Sequence, residues 1–119
     1  MKRITARFYR TATGGQPIKD WLLSLPADDR RIVGVDIAKV EYGWPVGMPV
    51  CAPLGNGLWE VRSTIARGKV EARTYFAVEG GDMILLAAHS GKDRQHRTID
   101  LALERWKDFR TRRGSGQPS

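Results

Sequence analysis

Arg62, Arg73, Lys92 and His96 are the side chains whose types and spacing point to chemistry, and Arg67, Lys69, Tyr75, His89, Arg94 and Arg97 lie near them in the chain. A guanidinium grips a phosphate through a planar two-point fork, and an ammonium does so as a point charge. An imidazole trades a proton near neutral pH. Metal-free cleavage of an RNA strand needs a base for the 2′-hydroxyl, donors for the crowded phosphorus and an acid for the leaving 5′-oxygen. Arg62 and Arg73 suit the phosphate, Lys92 the base or a further electrostatic stabiliser, and His96 the acid, with His89 as second choice. Arg67, Lys69, Tyr75, His89, Arg94 and Arg97 are the candidate RNA contacts.

Two strands must position the arginines. In the first, Leu58, Glu60 and Arg62 share one face, while Trp59 and Val61 turn to the other, inward one. In the second, Val70, Ala72, Thr74, Phe76 and Val78 share one face, and Lys69, Glu71, Arg73, Tyr75 and Ala77 the opposite one. Pairing the apolar faces as a hairpin brings Arg62 and Arg73 out on one polar surface. Alternation alone leaves a second reading open, in which both arginines only neutralise Glu60 and Glu71 on a solvated face.

The remaining elements follow from period and punctuation. Ile4 to Thr11 alternates as an opening strand. Pro17 suits the first turn of a helix that carries Ile18, Trp21, Leu22 and Leu25 and stops before Pro26. Asp28 and Asp29 favour the positive end of a second helix, Ala27 to Tyr42, which buries Val33, Ile37 and Val40. The two form a helical hairpin able to cover one face of a sheet. Gly43 to Gly57 is so dense in Pro and Gly that it reads as a loop with short extended pieces. Met83 to Ala88 is apolar on both faces, as in a central strand, and runs on into His89. Thr98 is the expected N-cap of a closing helix to Arg110. The spacing thus predicts one domain over 1–110 and a basic, Gly/Ser/Pro-rich disordered tail over 111–119.

The chain has 119 residues, enough for one core, and 41% hydrophobic residues supply it. A net charge of +7 favours a polyanionic partner, since each neutralised phosphate releases counterions. Cys51 is the one cysteine and has no disulfide partner. No run approaches the roughly 20 apolar residues of a membrane span, and no signal segment opens the chain, so a cytoplasmic protein is expected. There is no P-loop, dinucleotide fingerprint, zinc-ligand spacing or nucleophile elbow, so neither metal nor cofactor is expected.

Gly43-Trp44-Pro45-Val46-Gly47-Met48-Pro49, then Leu54-Gly55-Asn56-Gly57-Leu58-Trp59-Glu60-Val61-Arg62, then Arg73 to Phe76 and Leu85-Leu86 resemble the phage-derived branch of the RelE/HigB toxin superfamily. The resemblance runs from about Phe8 to Arg110. It implies an α+β fold, RelE-like, with an antiparallel sheet of about four strands, the helical hairpin on one face and a C-terminal helix. It also implies the toxin of a type II toxin–antitoxin pair, a metal-independent, ribosome-dependent mRNA endonuclease. Its implied partners are the ribosome, mRNA and a small helix-turn-helix antitoxin, with operator DNA reached only through the antitoxin. Arg62 and Arg73 match the family's phosphate-contacting arginines, and Lys92 the second of a lysine pair. Gly91 stands where the first lysine belongs, and Asp93 to Thr98 is shorter than usual, which leaves the acid and base roles open. Two further readings stand: a ParE-like topoisomerase inhibitor on the same fold, and a non-catalytic phage-derived nucleic-acid-binding module.

Overall fold

The computed structural model describes residues 1–91 and 94–114. Its elements, in chain order, are β1 (Thr5–Phe8), α1 (Pro17–Ser24), α2 (Ala27–Gly43), β2 (Cys51–Gly55), β3 (Leu58–Ile65), β4 (Val70–Glu79), β5 (Asp82–Ser90) and α3 (Gln95–Gly114). The strands form one five-stranded sheet in the order β1-β5-β4-β3-β2. β2 to β5 make antiparallel neighbours, and β1 lies parallel to β5. The sheet is therefore mixed and has five strands, where an antiparallel sheet of about four was expected. The fifth is β2, inside the stretch read as loop. An edge strand tolerates proline because one row of its N–H groups needs no partner, and Pro53 sits in that edge strand beside a register shift before Gly55.

Both faces of the sheet are covered, which explains the apolar run of β5. On one face, α1 and α2 pack Ile18, Val33, Ile37 and Val40 against Val61, Phe76, Met83 and Leu85. On the other, α3 packs Ala102 and Trp106 near Leu58, Tyr75, Ala77 and Ile84. The face expected to be a polar surface is thus the floor of a second core. α3 is pinned by Tyr9, whose hydroxyl donates to the Asp108 carboxylate, and by Arg105, whose guanidinium donates to the Leu86 carbonyl at 2.8 Å. Asp108 also pairs with Arg112 at 2.7 Å, one turn further on.

α3 starts three residues before Thr98 and ends at Gly114. Thr98 is consequently no N-cap: it lies buried inside the helix, and its hydroxyl donates to the Arg94 carbonyl at 2.7 Å. Of the stretch expected to be a disordered tail, 111–114 form the end of α3, and 115–119 lie outside the described residues. No helix among the described residues is long and apolar enough to cross a membrane.

The β3–β4 turn carries strain. Ala66 and Arg67 adopt φ of 52° and 57°, a left-handed conformation that costs a residue with a Cβ about 1–2 kcal/mol. The turn is held by the Gly68 amide donating to the Ile65 carbonyl at 3.1 Å, and by the Ala66 amide donating to the Asp29 carboxylate at 3.0 Å. Glycine relieves the strain and keeps both bonds, so Ala66→Gly is expected to stabilise the fold by about 1 kcal/mol in urea unfolding.

Candidate functional site

Cross-strand register decides which side chains meet. Arg62 on β3 lies directly opposite Arg73 on β4, and Arg73 directly opposite His89 on β5. One pleat further along, Glu60 faces Tyr75, and Tyr75 faces Ala87. Strict alternation along β5 would have put His89 with Met83 and Leu85, on the α1–α2 side. Instead the β4–β5 register slips between Tyr75 and Phe76, leaving Leu86 as an extra residue on β5. That bulge turns His89 to the arginine face.

Both arginines converge on a single carboxylate. Arg73 Nη1 donates to Glu60 Oε1 at 2.7 Å and Oε2 at 3.1 Å, and Arg62 Nε donates to Oε1 at 3.4 Å. The Glu60 side chain is 0% exposed, Arg73 12% and Arg62 35%. The ion pairing expected on a solvated face is real, but its carboxylate is buried. Arg73 is consequently a clamped group, with Glu71 a further 3.8 Å from its Nη2, while Arg62 is the loosely held and accessible member.

Tyr75 and His89 form a second pair, with the hydroxyl 2.8 Å from Nε2 and the rings stacked at 5.6 Å. Burial, then the Glu60 charge, pushes the Tyr75 phenol up to about 12, against the pull of Arg73, Arg62 and Gln95, so it stays protonated. Burial, helped by Arg73, holds the His89 imidazole below its ordinary value and hence neutral. Backbone groups at Gly91 and Ser90 oppose that shift, but Nδ1 makes no well-formed hydrogen bond to a described residue. His89, bonded to Tyr75 and buried, is thereby part of the scaffold rather than a solvent-facing acid.

The other described candidates lie at the same end of the sheet. Arg67 and Lys69 are exposed at the β3–β4 turn. A shallow cleft lined by Thr64, Gly68, Lys69, Glu71 and Gly91 links that turn to the end of β5. Arg94, His96 and Arg97 are exposed where α3 begins. Lys92 lies outside the described residues. The structure therefore brings Arg62, Arg73, Tyr75 and His89 together, and places His96 on an exposed helical turn. No group of three or more His, Cys, Asp or Glu side chains able to hold a metal occurs among the described residues.

Glu60 is the residue that strand alternation undervalued. Leu58 on its own face, with Tyr75 and Ala77 opposite, was the signal that this face is covered. Gln95 beside Tyr75 had no such signal, because the helix was expected to begin after it.

The fold and site define a basic α+β domain with cationic side chains at one end of a mixed sheet. Residues 20–107 match the family model described as Phage derived protein Gp49-like, and the chain belongs to that family, which is associated with RelE and toxin-like proteins. The matched span holds every candidate residue discussed above. A comparison with curated proteins found no match.

Two outcomes follow from this geometry. Removing Glu60 strands a buried guanidinium, so Glu60→Ala is expected to cost about 3–5 kcal/mol in urea unfolding, and Arg62→Ala at most about 1 kcal/mol. Because the folded pKa of His89 lies below its unfolded value, the unfolded chain binds the extra proton first on acidification. The stability His89 contributes is complete above its unfolded pKa near 6.5 and fades as pH falls toward the folded value. Melting from pH 7.5 to 5.5 should therefore show a decline that His89→Gln reduces.

Proposed function

We propose that this protein is the toxin of a type II toxin–antitoxin pair, RelE/HigB-like, and that it cuts mRNA on the ribosome. The observation that carries the reading is the row Arg62, Arg73 and His89 across three neighbouring strands, at the sheet end where Arg67, Lys69, Arg94 and Arg97 are exposed. Glu60 cancels one of the two strand guanidinium charges and leaves Arg62 able to swing onto a phosphate. Arg73 then acts as a positioning residue, holding the Glu60 carboxylate that in turn holds Arg62. Proton transfer falls to His96 and Lys92, with His89 held neutral by its burial.

Membership of a family associated with toxin-like proteins supports the toxin reading, and a small helix-turn-helix antitoxin is the partner it calls for. A second reading, RNA binding without cleavage, is favoured by the closed Glu60–Arg73 and Tyr75–His89 pairs.

Induced expression followed by sequencing of RNA 5′ ends tests both. The endonuclease reading predicts growth arrest with new 5′ ends inside coding regions, both lost in Arg62→Ala at unchanged protein level. Arrest with intact mRNA supports binding alone, and arrest with DNA damage signalling supports topoisomerase inhibition. Normal growth with soluble wild-type protein contradicts the toxin reading. Arg73→Ala is a poor probe because it leaves Glu60 buried without its main partner.

A further inference from the structure

Outside the arginine row, a cleft of about 440 Å³ lies at the outer edge of β5. β1 pairs with β5 only as far as Leu85, so beyond it the edge of β5 is open, with α1 on one side and α3 on the other. The walls include Trp21 from α1, Arg94, Thr98 and Arg105 from the α3 side, and His89 and Ser90 from β5. Among the described residues that line it there is no carboxylate. The described ionisable groups that line it are Arg94, Arg105 and His89, in contrast to the arginine row, where Glu60 and Glu71 offset the positive charge.

Residues 94, 98, 101 and 105 recur at helical spacing, so one stripe along α3 faces the cleft. Arg94 and Arg105 stand eleven positions apart, about 16 Å along the helix, with Leu101 between them. Both contribute to the cleft lining. Arg105 is fixed by its bond to the Leu86 carbonyl, and Arg94 is exposed at the mouth. Trp21, half-buried on α1, adds an aromatic ring to the same lining. His89 closes the floor, its Nδ1 lacking a well-formed hydrogen bond to any described residue.

We propose that this cleft binds one internal nucleotide of a single RNA strand, the base against Trp21 and the two flanking phosphates at Arg94 and Arg105. An aromatic ring and two arginines lining one recess match a nucleoside flanked by charge, and stacking tolerates any base. The cleft is a compact recess, which suits such a unit better than an extended acidic peptide. This site deepens the RNA reading given above and rests on it for its biological meaning. It lies across His89 from Arg62, so a strand seated here is separate from whatever Arg62 holds.

The probe is adenosine 3′,5′-bisphosphate, titrated into the full-length protein at low salt and followed by chemical shifts of the tryptophan indoles. Saturable binding is expected, at least tenfold tighter than adenosine, with adenosine 5′-monophosphate between the two. Arg94→Gln should weaken it at least fivefold, and Trp21→Phe should weaken it less than Trp21→Leu. Arg31→Gln, an exposed arginine on α2, should leave it within twofold. Thermal melts of each variant separate lost binding from lost fold, and Arg94→Gln, being exposed, keeps the test open should Trp21→Leu unfold. The proposal is overturned by the absence of saturable binding, by adenosine binding as tightly, or by Arg94→Gln binding like wild type. It is equally overturned if hexaglutamate binds and the bisphosphate does not, which would make the cleft a docking site for an acidic protein segment. Because this assay needs neither ribosome nor cell, bisphosphate binding without toxicity would sink only the toxin reading, and toxicity without binding would sink only this site.

Discussion

A carboxylate with no exposure to water can stay ionised only if partners replace its hydration, and Glu60 has two guanidinium groups to do so. Much else in this protein depends on that interaction. It ties β3 to β4 at the pleat where the strands leave the cover of α3, and it decides that Arg73 is spent on structure while Arg62 keeps some freedom. Burying an ion pair adds little net stability over an apolar pair of the same shape. Its effect is to penalise arrangements in which one partner is left alone.

The neighbouring Tyr75–His89 pair extends the same logic. A phenol pushed up to about 12 and an imidazole held neutral carry no charge at physiological pH, so the only charges in the knot are the guanidinium and carboxylate groups. The knot exists because β5 takes one extra residue at Leu86. Without that bulge, His89 would point into the α1–α2 core, and Tyr75 would lose its partner. A local irregularity of one strand thus assembles a polar cluster drawn from three.

The helices, β3, β4 and the apolar character of β5 were legible because their hydrophobic periods are strong. Trp59, Val61, Thr74 and Phe76 share the inward face as alternation requires, and Arg62 meets Arg73 as a hairpin requires. β2 was not legible, because Pro53 and Gly55 are loop residues by local preference, and only an edge position lets them be strand. Nor was the side of the sheet on which His89 falls, since a bulge leaves no mark in composition. The cover of α3 over Leu58 and Tyr75 was half legible: those residues are apolar, but the charged neighbours Glu60, Arg62 and Arg73 masked the pattern. Arg105 and Trp21 line one cleft at the sheet edge through chain topology, which no local pattern encodes.

The view of the site as one buried carboxylate clamping Arg73 and leaving Arg62 available is tested most directly by a double-mutant cycle between Glu60 and Arg73. Unfolding free energies of Glu60→Gln, Arg73→Met and the double variant would be compared with wild type. The account predicts that the double variant is less destabilised than the sum of the singles by about 2 kcal/mol or more, because removing both partners leaves no stranded charge. Single effects that add to within about 0.5 kcal/mol would show that the two groups do not depend on each other, and would contradict it.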